Sequence, residues 1–188
     1  MKVTFRHGTL TLKLGDLTKE RADAIVNAAN SSLMGGGGVD GAIHLAGGPK
    51  ILKECRRIVE RIGRLASGDV VITTGGNLPA GKVIHTVGPI WGGGYSGERD
   101  TLRRCYLNSL ELARKENLRS VAFPSISTGV YRYPLYEAAR VALAAVIEFL
   151  NGEELTDANM QPMDVIFVLF NEKILTAYTE ALREGIEV

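Results

Sequence analysis

From Val70 onward the chain alternates short apolar runs with longer amphipathic stretches, and few architectures accept that order. Residues 70–73 and 83–87 read as strands joined through Leu78-Pro79-Ala80-Gly81. Residues 98–116 follow with helical spacing, which puts Leu102, Cys105, Tyr106, Ser109, Leu112 and Ala113 on one face. A strand at 121–123 stops at Pro124, an Ala-rich apolar helix runs over 135–150, and a polar loop covers 151–161. Residues 165–170 form a strand apolar at nearly every position, and 173–183 a last helix. In the first half, 3–5 and 9–14 read as a hairpin about His7-Gly8, and 24–27 as a short buried strand. Helices are expected at 39–46 and 50–62, the second burying Ile51, Leu52, Cys55, Ile58, Val59 and Ile62. Strands that alternate with helices predict an α/β domain with helices on both faces of a mixed, mostly parallel sheet. The unbroken apolar character of 165–170 fits a strand covered on both sides. A chain of 188 residues without repeat or linker suits one domain, 1–188.

Ligands of open α/β sheets sit beyond the carboxyl ends of the strands, so the segments that follow each strand matter most. After Asn27 comes Ala28-Ala29-Asn30-Ser31-Ser32-Leu33-Met34-Gly35-Gly36-Gly37-Gly38-Val39-Asp40-Gly41, and after Phe123 comes Pro124-Ser125-Ile126-Ser127-Thr128-Gly129-Val130-Tyr131. Both are rich in Gly, Ser or Thr and lead into helices, whose first N–H groups suit phosphate. Two such loops fit a diphosphate. The chain has 22 glycines, against about 13 for an average chain of this length. They cluster at 35–38, 75–76 and 92–94, as expected where backbone must approach something closely.

Composition narrows the partners. Lys and Arg total 22 against 21 Asp and Glu, a net charge of +1. That argues against a broad nucleic-acid footprint and leaves room for a small anion held by backbone groups. Cys55 and Cys105 form no CxxC pair, and no His and Cys set has zinc-ligand spacing. They read as buried free thiols of a reducing compartment. The N-terminus lacks the apolar stretch of a signal peptide, and no window has the length of a membrane span. The expectation is a cytoplasmic protein without membrane, metal or cofactor.

Gly36, Gly38 and Gly41 formally match GxGxxG, the dinucleotide fingerprint. That fingerprint should follow its strand directly, whereas residues 28–34 intervene here. No GxxxxGK[ST] loop is present either. Another pattern fits better. Gly15-Asp16-Leu17-Thr18, Ile25-Val26-Asn27-Ala28-Ala29-Asn30 and Gly35-Gly36-Gly37-Gly38-Val39-Asp40-Gly41-Ala42-Ile43-His44 together resemble the signature of the MacroD-type macrodomains. Downstream, Leu78-Pro79-Ala80, Val83-Ile84-His85-Thr86-Val87-Gly88-Pro89 and Ala122-Phe123-Pro124-Ser125-Ile126-Ser127-Thr128-Gly129-Val130-Tyr131 match in the same order. Within that family the chain is most similar to the bacterial O-acetyl-ADP-ribose deacetylases. The resemblance implies a three-layer α/β/α sandwich and an ADP-ribose site.

It also implies roles. Asp16 would accept a hydrogen bond from the adenine amino group, with the Leu17 N–H beside it, although Asp16 alone reads as a helix N-cap. Phe170 would stack on adenine rather than pack in the core, where a strand-end aromatic usually sits. Asn171 would line the same pocket. Gly36, Gly37, Gly38 and Val39 on one side, and Ser127, Thr128, Gly129 and Val130 on the other, would hold the diphosphate. Tyr131 would close over the distal ribose. Arg132 stands where the family commonly has Gly, and a phosphate, a substrate protein or solvent is open to it. Gly75-Gly76-Asn77 departs mildly from the family's usual residues.

Asn30 and Asp40 would be the reactive pair. Taken alone they are a turn residue and a helix cap. In the family context Asn30 would bond a distal-ribose hydroxyl. Asp40 would position or deprotonate a water near the anomeric carbon or the acetyl carbonyl. Asn27 is expected to bond the loop's backbone. His44 either orients Asp40 or packs, His85 is a buried structural hydrogen bonder, and His7 a surface turn residue. Ser125 and Ser127 have no evident His and Asp partners, so serine-hydrolase chemistry is unsupported. Arg56, Arg57, Arg61 and Arg64 read as a solvated helix face. The reading is a metal-independent hydrolase of O-acetyl-ADP-ribose or of ADP-ribose on acidic side chains of mono-ADP-ribosylated proteins. Two alternatives stand beside it: a reader that binds ADP-ribose without turnover, and a regulatory partner of an RNA-processing enzyme.

Overall fold

The computed structural model describes residues 1–152 and 161–186, and the polar loop expected at 151–161 falls almost wholly outside them. Strands β1 (Lys2–Phe5) and β2 (Gly8–Leu14) form the expected hairpin. With β3 (Ala24–Ala28), β4 (Val70–Thr74), β5 (Lys82–Thr86), β6 (Ser120–Phe123) and β7 (Met163–Leu169) they build one seven-stranded sheet, in the order β1-β2-β7-β6-β3-β5-β4. The interior pairs are parallel, and each edge closes with an antiparallel pair. The helices are α1 (Gly38–Gly47), α2 (Pro49–Ile62), α3 (Glu98–Lys115), α4 (Leu135–Asn151) and α5 (Glu172–Ile186).

Alternation along the strands sorts side chains into two cores. Ala24 and Val26 of β3 join Val121 and Phe123 of β6 and Val165 and Phe167 of β7 beneath α3, α4 and α5. Ile25, Val83, Ala122 and Val168 face the other way, toward Ile43 of α1 and Ile51, Cys55 and Ile58 of α2. The result is the three-layer α/β/α sandwich. It explains why β7 reads as apolar throughout: both of its faces are covered.

Three details depart from the expectations. Leu110 rather than Leu112 is fully buried on α3, because the stripe turns with the helix over its length. Ile62 is 48% exposed, since α2 ends there and turns away at Gly63, φ +76°. The last strand stops at Leu169, so Phe170 lies beyond the core and is 82% exposed.

The larger core also braces the functional end of the sheet. Tyr106, Phe123, Phe167 and Tyr178 pack ring to ring, with centroids 5.0 to 5.8 Å apart. Such aromatic pairs contribute about 0.5–1.5 kcal/mol beyond area burial. The two phenols reach upward from this cluster. Tyr106 Oη accepts from the Ile126 N–H at 3.2 Å, and the Tyr178 hydroxyl donates to Ser125 Oγ at 3.1 Å. The loop after β6 is thereby fixed to the core beneath it.

Candidate active site

The parallel strands run β2, β7, β6, β3, β5 across the sheet, and the segments that leave their carboxyl ends form a row in the same order. Asp16 and Leu17 follow β2, Phe170 and Asn171 follow β7, 124–133 follows β6, and 29–40 follows β3. Adjacent strands lie about 4.8 Å apart, so β2 to β3 spans roughly 14 Å, room for an elongated ligand laid across the edge. The residues expected to hold ADP-ribose therefore all follow the carboxyl ends of these strands.

Asp40 sits in the first turn of α1 and is 4% exposed. Its Oδ1 accepts from Asn27 Nδ2 at 2.7 Å, while Oδ2 faces Asn30 Nδ2 at 3.5 Å. Burial raises the carboxyl pKa, opposed by the Asn27 hydrogen bond and by His44. Asn30 donates to Gly35 O at 2.7 Å and accepts from the Ser32 N–H and hydroxyl at 3.0 and 2.5 Å. It thus closes a turn, as an isolated Asn would, and also points its amide at Asp40. A Cβ on Gly36 would lie 3.1 Å from Asp40 Oδ2 and 3.2 Å from Asn30 Nδ2. A Cβ on Gly41 would lie 2.4 Å from Gly36 O, closer than any side chain tolerates. These two glycines let the loop fold down onto Asn30 and Asp40, whereas nothing lies within 4 Å of a Cβ built on Gly37 or Gly38. The first N–H groups of the ten-residue α1 open toward that side.

Beneath Asp40 the structure corrects one expectation. Asn27 does not bond the loop's backbone. It is fully buried, and its amide nitrogen lies between Asp40 Oδ1 and His85 Nδ1, the latter at 3.1 Å. Asn27 and His85 are directly paired in the β3–β5 register, so the strand pleat sends both side chains beneath α1. His85 Nε2 meets Thr73 Oγ1 at 2.8 Å, and Thr73 Oγ1 also donates to Thr74 O at 3.1 Å. Burial, with His44 nearby, pushes the His85 pKa down to about 3, so its ring is neutral. His85 is the buried hydrogen bonder that its place in the strand suggested.

His44 Nε2 lies 3.5 Å from Asp40 Oδ1, too long and oblique to count as a hydrogen bond, and has no such partner among the described residues. Cys55 Sγ is 3.9 Å from His85 Nε2. His44, Cys55 and His85 thus offer donor atoms within 4.8 Å of one another, a trio their spacing in sequence conceals. Both His85 nitrogens are already engaged, and burial pushes the Cys55 thiol up to about 12, with Asp40 and Glu54 adding to the shift. Within the trio only Cys55 and His85 are linked by a hydrogen bond, and the His44 ring packs against that of His85 with centroids 6.2 Å apart. Cys55 and Cys105 are both buried free thiols.

The facing loop is equally well held. Thr128 Oγ1 donates to Ser125 O and Oγ at 3.1 and 2.9 Å, and the Tyr133 N–H donates to Ser127 O at 3.0 Å. Ser127 takes φ +65° and is buried, its Oγ without a partner among the described residues. Gly129 and Val130 are exposed, and Tyr131 half-buried. Arg132 adopts φ +57°, a left-handed backbone that Gly takes without penalty, so the loop keeps its turn despite the substitution. Its side chain is exposed. Next to this loop, the Trp91 N–H donates to Tyr131 O at 2.9 Å. Segment 92–96 wraps the buried Glu98 carboxylate, which accepts from the Gly92, Gly94 and Ser96 N–H groups at 3.0, 3.2 and 2.7 Å. These backbone hydrogen bonds, with that of Glu98 itself, hold its pKa below the ordinary value.

At the far end of the row Asp16 is an N-cap, accepting from the Thr18 N–H at 3.0 Å and its hydroxyl at 2.7 Å through Oδ1. The Thr18 hydroxyl is the main reason its pKa is lowered. Its side chain remains 46% exposed, so capping leaves an oxygen for a ligand. Leu17 is buried below it. Asn171 is exposed, and its Oδ1 caps α5 by accepting the Ile174 N–H at 3.0 Å. On the opposite flank Arg64 is not simply solvated: its guanidinium donates to Ser31 Oγ at 3.2 and 2.7 Å, tying α2 to the Asn30 loop.

The Macro domain family model matches residues 26–142. The chain belongs to the macrodomain family. An O-acetyl-ADP-ribose deacetylase of Klebsiella pneumoniae is 50% identical to this macrodomain over 170 residues, 90% of this chain and 93% of its relative. The solved structure of an Oceanobacillus iheyensis macrodomain with ADP superposes with a TM-score of 0.92 at 46% identity, covering 100% of this chain and 96% of that one. A Trypanosoma brucei macrodomain in complex with ADP-ribose has a TM-score of 0.81 at 42% identity, over 94% and 69% of the two chains.

The contacts that sequence reading missed are those beneath Asp40 and those around Glu98. A signal for the first was present: Asn27 and His85 are polar residues that directly follow the apolar runs Ile25-Val26 and Val83-Ile84. Thr73 and Cys55 carried no signal, because their contact with His85 depends on strand pairing and helix docking.

Proposed function

We propose that this macrodomain is an ADP-ribose-binding hydrolase that removes the acetyl group of O-acetyl-ADP-ribose, or releases ADP-ribose from acidic side chains of mono-ADP-ribosylated proteins. The observation that carries this reading is the Asp40 carboxylate. One oxygen is tied to Asn27, and the other is directed at Asn30 and Gly36 beside the α1 N-terminus. In this reading adenine lies at the β2–β7 end, between the Asp16 carboxylate, the Leu17 N–H and the Phe170 ring, with Asn171 alongside. The diphosphate lies between the N–H groups of Gly36, Gly37, Gly38 and Val39 and those of Ser127, Thr128, Gly129 and Val130. Tyr131 covers the distal ribose, and Asn30 bonds one of its hydroxyls. The near-balanced charge supports anion binding through backbone groups rather than through a basic surface.

For the acetyl ester, water adds to the carbonyl carbon while Asp40 Oδ2 takes its proton. The tetrahedral adduct then breaks its bond to the ribose oxygen, which receives that proton, and acetic acid and ADP-ribose depart. For a protein-linked ester, the same carboxylate would place water near the anomeric carbon. No step calls for a metal ion or cofactor. General-base assistance of this kind is worth about 10²–10⁴-fold in rate. Asp40→Ala should therefore lower turnover of both substrates by about that factor, with ADP-ribose affinity kept within a few-fold. Unchanged turnover would overturn the role of Asp40. Absence of wild-type turnover on either substrate, with ADP-ribose still bound, would make the protein a reader.

A further inference from the structure

We propose that His85 and Thr73 are positioning residues for Asp40, acting through the orientation of the Asn27 amide. The inference rests on the reading of Asp40 as the group that directs water.

The argument follows the protons. Asn27 Nδ2 lies 2.7 Å from Asp40 Oδ1 and 3.1 Å from His85 Nδ1. An amide nitrogen has two protons to give and accepts none, so His85 Nδ1 must be the bare ring nitrogen. A neutral ring then carries its single proton on Nε2. That proton is directed to Thr73 Oγ1 at 2.8 Å, whose own proton goes to Thr74 O at 3.1 Å. Cys55 Sγ lies farther from Nε2, at 3.9 Å, and Asn27 Oδ1 has no partner among the described residues, so the shorter Thr73 contact fixes the order of donors. His85 and Thr73 are buried, at 0% and 2% exposure, so water does not offer an alternative.

The reverse arrangement shows what the chain accomplishes. With the proton on Nδ1, His85 would face an N–H of Asn27, and the amide would rotate to offer its oxygen. That oxygen would then stand where Nδ2 now lies, 2.7 Å from a carboxylate oxygen. Two acceptors at that distance exclude an ionised Asp40 unless it moves or takes up a proton. Either change removes the base from its place under Gly36. The Thr73 hydroxyl, on the edge strand β4, thus selects the ring tautomer that keeps the Asn27 amide donating to Asp40 Oδ1 and Oδ2 turned toward Asn30.

The experiment compares wild type, Thr73→Val and Thr73→Ser, using O-acetyl-ADP-ribose turnover, ADP-ribose affinity and ¹⁵N NMR of the His85 ring. Wild-type His85 should show the Nε2-protonated tautomer. Thr73→Val, which keeps the shape and removes the hydroxyl, should raise the Nδ1-protonated fraction and lower kcat about 3- to 10-fold, the size expected for one lost hydrogen bond. KM and ADP-ribose affinity should stay within twofold, and Thr73→Ser should restore both kcat and tautomer. A wild-type ring protonated on Nδ1 overturns the proposal, and this holds even if Thr73→Val does not fold. So does wild-type kcat in Thr73→Val. Asp40→Ala separates the two readings. If it keeps full turnover, the reading of Asp40 fails. If it loses turnover while Thr73→Val does not, only the positioning chain fails.

Discussion

Asp40 holds its carboxyl inside the protein, where burial raises its pKa and the Asn27 hydrogen bond and His44 only partly offset the effect. A carboxyl whose pKa is higher folded than unfolded binds its proton more tightly in the native state. Its stabilising contribution is then full below the ordinary value of 3.8 and is lost as pH rises through the raised folded value. Asp40→Asn, uncharged throughout, should gain stability relative to wild type across that window and be at least as stable at neutral pH, while turnover falls. Calorimetric Tm against pH checks this, and a Tm for the variant that drops below wild type at neutral pH would contradict it. The acid limb of wild-type turnover should lie above the ordinary aspartate range for the same reason. Phe170 makes the complementary case. At 82% exposure it supports little of the fold. Phe170→Ala should therefore change stability by less than about 0.5 kcal/mol. If the ring stacks on adenine, ADP-ribose affinity should still fall by roughly 1–3 kcal/mol, measurable by titration calorimetry. At this scale the sequence was legible where a group of residues pointed to one place, as with Asn30 and Asp40, which bracket the glycines of 35–38 and which the structure brings together at 3.5 Å. Thr73 and Arg64 were not legible, because a hydroxyl on an edge strand and an Arg just past a helix end look like many others until their partners are known.

Among the elements, the Asn30 loop and α1 act as one unit. Gly41 lies inside the first turns of α1, yet its packing serves the loop, since Gly36 O occupies the space a Cβ would need, 2.4 Å away. Gly41→Ala must push the loop outward. It should cost about 1–3 kcal/mol, the usual price of overpacking, and, if Asn30 and Asp40 carry the chemistry, lower turnover more than it lowers ADP-ribose affinity, because it displaces Gly36 from that pair. Equal losses in both would show that the loop's position does not matter to the chemistry. Except for the end of α5, expected at Arg183 and found at Ile186, the elements could be predicted to within a residue or two, since apolar period and turn residues are local properties. The end of β7 was harder to place: Phe170 is as apolar as its neighbours, and only the edge of the helical layer decides where burial stops.

At the scale of the molecule, both cores and the row of loops follow from one sheet order. The sequence pointed to a mixed, mostly parallel sheet, because helices between strands require crossovers. It did not reveal which strands are neighbours, and that order is what puts Asp16 at one end of the row and Asn30 at the other. The order has a consequence in time. β7 is synthesised after the other six strands of the sheet, yet it lies inside the sheet, with β2 on one side and β6 on the other. A chain stopped before Met163 would already contain Asp16, Asp40 and Tyr131, but with no strand to hold the two halves of the row at their proper spacing. On refolding, ADP-ribose capture should then appear only when β7 docks, later than most of the helical signal and together with protection of the β7 amides. Nucleotide binding would act as a clock for the closing step of assembly.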